Sequence, residues 1–211
     1  MKVDLDDYIE AHIDAEPAWL ADLDRDTHCG LVNGRMCSGH LQGRLLKMLT
    51  RMIRPRRVLE LGTYSGYSAL CIAEGLEEGA ELHTVEALDE LEDFIRRHLA
   101  QAPGEVAGKI HCHFGPALEV MPRLGGDFDM VFIDADKREY PEYYTEVMKL
   151  LAPGGYILAD NTLWDGHVVE TSTRNPQTRG IIEFNRLVAA DDRVEKVIIP
   201  LRDGLTLIRR K

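Results

Sequence analysis

From Arg57 to Asn161 the sequence alternates between short apolar runs and segments of helical spacing, and this alternation limits the possible folds more than any other feature. The runs are Arg57–Gly62, Glu81–Glu86, Lys109–Gly115, Asp129–Ala135 and Tyr156–Asn161. Residues 66–76, 88–101, 116–124 and 139–152 read as the helices between and after them, and 178–190 as one more. Such alternation predicts βαβ units and a mainly parallel sheet with helices on both faces. Two further runs, Val194–Pro200 and Leu205–Arg209, are separated only by Leu201–Gly204. So short a connection demands a hairpin, which makes the last of seven strands antiparallel.

Residues 1 to about 54 read as helical, with Pro17 interrupting Asp4–Leu23 and helical spacing of apolar residues over Leu41–Ile53. Gly30, Gly34, Gly39 and Gly43 predict loop over most of Cys29–Gly43. The linker at Arg54–Arg56 is too short for a free boundary. One domain spanning 1–211 is therefore expected, with a helical cap (1–54) on a core (55–211).

The chain has 211 residues and a formal charge of −11. That balance disfavours nucleic acid and anionic membrane surfaces as partners. No apolar stretch approaches the length of about 18 residues needed to span a membrane, and the acidic start is unlike a signal peptide. Cys29, Cys37, Cys71 and Cys112 are scattered, so reduced thiols in the cytoplasm are expected. What the acids do depends on where they fall.

Four fall at or near predicted strand ends: Glu60, Glu86, Asp134 and Asp160. Ligands of open parallel sheets bind outside the carboxyl ends of the strands. A strand-end acid also serves to cap the next helix; four at one edge favour a ligand pocket. The first βα turn runs from Glu60 through Gly62 and Gly66 to Ser68. A dinucleotide fingerprint would need glycine at 64 and 67, and both are tyrosine. A nucleoside without a pyrophosphate fits better, with Glu86 accepting hydrogen bonds from its ribose hydroxyls.

Adjacent parallel strands would bring Asp134 beside the Asp160–Asn161 pair. Two carboxylates and an amide oxygen make a hard-oxygen site for Mg²⁺, Mn²⁺ or Ca²⁺. Lys137, three residues beyond Asp134, is then either a general base beside the ion or the partner of Asp134 or Asp136. His111-Cys-His113 suggests zinc, yet two histidines without further spaced ligands read better as part of a strand.

At these residues the sequence resembles the cation-dependent, S-adenosylmethionine-dependent O-methyltransferases, the group containing catechol and caffeoyl-CoA O-methyltransferases. The matching stretches are VLELGTYSGYSAL, FGPALEVMPRL, FDMVFIDADKREYPEYY, LLAPGGYILADNTLWDGHVVE and the C-terminal DDRVEKVIIPLRDGLTLIRRK. The resemblance covers residues 36 to 211 and implies a Rossmann-like fold. It implies that Met36 packs on the cofactor from the N-terminal loop, that Glu60, Gly62 and Ser68 hold its methionine part, that Thr63 also contacts the cofactor, and that Glu86 binds its ribose. Ala117 would meet the adenine, and Asp134 and Asp136 would lie on the cofactor side. It implies Asp134, Asp160 and Asn161 as metal ligands, Lys137 as base with Asp134 beside it, and Tyr140 and Trp164 near a small phenolic acceptor. It also implies a homodimer.

Met36-Cys-Ser-Gly-His40, before Gln42-Gly43, departs from the family, where a Ser-Pro pair is more usual. His40 is a candidate for contact with the acceptor or the metal shell, or a loop histidine making local hydrogen bonds. The polar stretch Thr171–Gly180 is expected to border the pocket. A methyltransferase acting on catechol-like molecules is the first expectation. The alternatives are one acting on acyl-CoA esters, for which Arg25, Arg35 and Arg44 are candidate contacts, a nicotinamide-dependent oxidoreductase, and a noncatalytic cofactor-binding protein.

Overall fold

The computed structural model describes residues 4–170 and 172–211. The N-terminal part forms α1 (Leu5–Glu10), α2 (Ala18–Gly30), a 3₁₀ turn at Gly34–Met36 and α3 (Gly39–Ile53). The loop expected at Cys29–Gly43 is thus confined to the residues between α2 and α3. Helix α3 stops at Arg54, which is left-handed (φ 54°), just before Pro55.

The core follows as β1 (Arg57–Leu61), α4 (Tyr67–Gly75), β2 (Glu81–Glu86), α5 (Glu92–Leu99), α6 (Gly104–Ala107) and β3 (Ile110–Phe114). Then come α7 (Ala117–Val120), β4 (Phe128–Ile133), α8 (Tyr140–Leu150), β5 (Leu151–Ala159), α9 (Pro176–Ala190), β6 (Val194–Ile199) and β7 (Leu205–Arg210). Helix α9 begins with proline at its first position, and the Asn175 side chain accepts from the Gln177 amide at 2.9 Å. Half of the expected polar loop is therefore helix, and Thr171 lies outside the described residues.

The seven strands lie in the order β3-β2-β1-β4-β5-β7-β6. β1 to β5 pair in parallel; β7 runs antiparallel to both β5 and β6. The last strand is antiparallel as the short β6–β7 connection requires, but it lies between β5 and β6, so β6 forms the edge. Strand order reverses between β1 and β4, the point where ligands of such sheets bind.

Each face of the sheet carries its own core. Leu59, Leu61, Val131, Ile133 and Ile157 pack under Val120, Tyr144, Val147 and Phe184 of α7, α8 and α9. Val58, Leu82, Met130, Phe132 and Leu158 pack under Leu20, Leu46, Leu70 and Ile72 of α2, α3 and α4. Helices α2 and α3 thus share a core with the sheet, whereas α1 buries none of its residues. Among the described residues no helix is long and apolar enough to cross a membrane.

Candidate active site

Backbone hydrogen bonds beyond the strand ends pull four loops together. Gly62 and Thr63 donate to the Val85 carbonyl at 2.9 and 3.2 Å, Asp134 to Leu61 at 2.9 Å, and Asp160 to Ile133 at 3.0 Å. The ends of β1, β2, β4 and β5 therefore converge, and with them the predicted acids. Gly62 is left-handed (φ 97°), and a Cβ there would collide with the Asp134 carbonyl. This glycine serves the approach of one loop to another as well as access for a ligand.

Glu60 is fully buried in β1. One carboxyl oxygen accepts from the Thr84 hydroxyl at 2.5 Å, while Oε1 has no partner. Burial pushes this carboxyl up to about 7. Thr63 joins the same group, its hydroxyl 2.6 Å from that of Thr84. Ser68 is buried in the first turn of α4. Glu86 accepts from the Tyr64 amide at 2.7 Å and the Leu88 amide at 2.9 Å. A carboxylate has about four acceptor positions, so Glu86 organises its own loop and keeps capacity for a ligand's hydroxyls. Ala117 opens α7 after Gly115 at the end of β3. Met36 is 55% exposed in its 3₁₀ turn.

Tyr64 and Tyr67 explain the missing glycines. Tyr64 adopts φ 49° and its hydroxyl donates to the Val32 carbonyl at 2.9 Å. Tyr67 is buried beneath Gly43 of α3, where a Cβ would stand 2.8 Å from its ring, and its hydroxyl meets Glu16. These two tyrosines tie the cap to the first turn.

Asp134 and Asp160 follow the paired residues Ile133 and Ala159 of β4 and β5. Asp160 is buried, and burial together with the charge of Asp134 raises its carboxyl to about 6. Its Oδ1 accepts from the Asn161 amide at 2.8 Å and its Oδ2 from Gln42 Nε2 at 2.6 Å. Asn161 is left-handed (φ 57°). Lys137 is buried, donating to Asp134 Oδ1 at 2.6 Å and to the Ala135 carbonyl at 3.1 Å. Asp136 turns instead to Arg138, whose guanidinium holds its carboxyl below the ordinary range.

Tyr140 and His40 both make hydrogen bonds within the chain. Tyr140 is fully buried, and its hydroxyl donates to the carbonyls of Ile133 (3.1 Å) and Asp160 (3.0 Å). It braces the metal-ligand candidates from behind and presents no surface to an acceptor. His40 lies in the first turn of α3 with Nε2 2.7 Å from the Asp14 carbonyl, the local hydrogen bond of the simpler reading. Trp164 begins a kinked turn, Trp164–Val169, whose residues Trp164 (φ 48°), Asp165 (φ 49°) and Gly166 (φ 79°) are left-handed, and it is partly buried against the core of α7, α8 and α9.

Among the described residues no three His, Cys, Asp or Glu side chains form a ready metal cage. His111 and His113 stack on His83 across β2 and β3, with His83 Nδ1 3.0 Å from His113 Nε2, without closing such a cage. Asp134 and Asp160 lie close enough at the strand ends for the charge of one to act on the other, and Asn161 follows Asp160 directly, its side-chain oxygen the candidate third donor. That hard donor set fits a divalent cation, and the raised carboxyl of Asp160 is the electrostatic strain a cation would relieve. Residue spacing did not single out Gln42 as a partner of this site.

The chain's likeness to known proteins agrees with this geometry. A family model described as O-methyltransferase matches residues 10–211. A catechol O-methyltransferase of Niastella koreensis is 32% identical over 180 residues, covering 79% of this chain and 78% of that protein. Caffeoyl-CoA O-methyltransferase 1 of Zea mays is 38% identical over 182 residues, covering 80% of this chain and 69% of that one. The O-methyltransferase TomG of Streptomyces achromogenes, solved with S-adenosylmethionine, has a TM-score of 0.89 at 29% identity, covering 97% of this chain and 94% of TomG. An O-methyltransferase of Bacillus cereus, solved with S-adenosylhomocysteine, has a TM-score of 0.91 at 27% identity, covering 98% of this chain and 97% of that one. With a family model matched over residues 10–211, relatives more than 30% identical over most of the chain, and the same overall fold in solved O-methyltransferases, the chain belongs to the O-methyltransferase family and has its class I methyltransferase fold.

Proposed function

We propose that this protein transfers the methyl group of S-adenosylmethionine to a hydroxyl of a small catechol-like molecule, with a divalent cation held by Asp134, Asp160 and Asn161. The observation that carries this reading is the juxtaposition of Asp134 and buried Asp160 at the ends of adjacent strands, with Lys137 Nζ 2.6 Å from Asp134. A divalent cation bound there supplies Lewis acidity and a template for two vicinal oxygens.

The residues divide the remaining work. Glu86 receives the ribose hydroxyls, and Glu60, Thr63 and Ser68 line the far side of the first turn. Lys137 Nζ, as the neutral amine, would take the proton of the acceptor hydroxyl, and the resulting oxyanion would form the oxygen–carbon bond as the carbon–sulfur bond breaks and S-adenosylhomocysteine leaves. Attack joins an oxyanion to a sulfonium, so charge is lost in the transition state and the gain comes mainly from orientation.

The acyl-CoA alternative loses one of its three candidate contacts, Arg44, which pairs with Glu74 at 2.7 Å with its side chain 9% exposed; Arg25, in an exposed pair with Asp22, and Arg35 remain available. The test is methyl transfer from labelled S-adenosylmethionine to catechol and to caffeoyl-CoA, after chelation and after Mg²⁺ is restored. Transfer to catechol that stops on chelation and returns with Mg²⁺ is expected. Undiminished transfer after chelation overturns the metal assignment, and transfer to caffeoyl-CoA alone overturns the acceptor class.

A further inference from the structure

We propose that Gln42 is a positioning residue for Asp160, held in turn by Arg202 from the β6–β7 turn. This rests on the reading of Asp160 as a metal ligand. Gln42 is buried in the first turn of α3, and its Nε2 donates to Asp160 Oδ2 at 2.6 Å. On the other side of the amide, Oε1 accepts from Arg202 Nη1 at 3.4 Å. Only this orientation of the amide gives a donor to the carboxylate and an acceptor to the guanidinium. Arg202 is anchored on the cap, where it donates to the Cys37 carbonyl at 3.3 Å and to the Ser38 carbonyl.

Asp160 is therefore held at every polar atom. Its amide donates to Ile133, its carbonyl accepts from Tyr140, Oδ1 accepts from Asn161 N and Oδ2 from Gln42. With one hydrogen bond on each carboxyl oxygen, about half of its four acceptor positions remain for a cation. The terminal torsion of an aspartate is broad, so without Gln42 the Asn161 amide alone, among the described residues, would hydrogen-bond the carboxylate and set its plane. Gln42 is not a ligand in this arrangement, because its nitrogen faces Asp160 and its oxygen faces Arg202. A neutral donor also keeps the charge of Asp160 available to the cation, where a lysine in its place would cancel it.

The test uses the full chain and Mn²⁺ alone, with binding followed by the loss of the free-ion magnetic-resonance signal. Gln42→Met keeps the bulk and removes the donor, and Arg202→Ala keeps the donor and loosens its support. Outer-shell partners of metal ligands typically contribute about 10–100-fold in affinity. A loss of that size is expected for Gln42→Met, with a smaller loss for Arg202→Ala and S-adenosylhomocysteine affinity little changed. In turnover, the Mg²⁺ concentration for half-maximal rate should rise more than kcat falls. If Gln42→Met melts earlier yet binds Mn²⁺ as the wild type does, the role is structural and the proposal fails while the metal reading stands. Should Gln42→Met not fold, an unchanged Mn²⁺ affinity in Arg202→Ala overturns the proposal. Absence of Mn²⁺ binding to the wild type overturns the metal reading, and the proposal with it.

Discussion

Lys137 and Asp134 form a 2.6 Å ion pair at the switch point of the sheet, and the Lys137 ammonium also stands 5.0 Å over the ring of Tyr140. The pair is the ion-pair reading of Lys137; its proposed role as base is tested by substitution. Lys137→Met is expected to lower kcat by about 10²–10⁴, the usual worth of a general acid–base, with S-adenosylhomocysteine affinity retained. Lys137→Arg should not restore the rate, because guanidinium does not give up its proton at ordinary pH. Steady-state kinetics of both variants check this, and near wild-type turnover in either one removes Lys137 as the base.

The buried carboxyls of Glu60 and Asp160 predict how stability varies with pH. Glu60 is raised from 4.5 to about 7 and Asp160 from 3.8 to about 6, both chiefly by burial. Between the ordinary and the raised values the folded chain binds more protons than the unfolded chain. The contribution of these groups is therefore fully present below about pH 4 and is lost as pH rises through 6 to 7. Glu60→Gln, which cannot ionise, should gain melting temperature relative to the wild type as pH goes from 5 to 8. A constant difference across that range would contradict the raised Glu60.

Glu86→Ala removes an acceptor from two loop amides as well as from the ribose. Binding of S-adenosylhomocysteine measured by calorimetry should weaken by about 10–100-fold, as hydrogen bonds to a charged group contribute about 1.5–3 kcal/mol. Glu86→Gln keeps one acceptor oxygen and should lose less. Equal affinity in the wild type and Glu86→Ala would remove Glu86 from the cofactor site.

Gly62→Ala combines a left-handed backbone with a collision against the Asp134 carbonyl. Urea unfolding should report a loss of about 2 kcal/mol or more, counting the backbone penalty of about 1–2 kcal/mol and the loop shift. Cofactor affinity should fall with it. A neutral substitution would mean that the β1 and β4 loops tolerate separation.

Much of this was legible along the chain because it depends on neighbours in sequence. Period-two and period-3.6 spacing marked the strands and most helices, and the short Leu201–Gly204 connection marked the antiparallel strand. What local spacing misread or left open has long-range causes. Gly39 and Gly43 look like loop residues, but Gly43 is needed where α3 packs on Tyr67 and Cys71. Tyr140 carries a polar tip that suits a binding site, yet two backbone carbonyls use it inside the core.

The sequence by itself determined which residues end each strand, and so that Glu60, Glu86, Asp134 and Asp160 would share one edge, because side-chain periodicity and turn length are local properties. Only the tertiary structure decided which partner each acid meets. Gln42 reaches Asp160 across 118 positions of sequence, Gly62 lies against the Asp134 loop, and β7 inserts between β5 and β6. These contacts follow from two cores closing on opposite faces of one sheet, and no local pattern records which buried polar group will lie beside which.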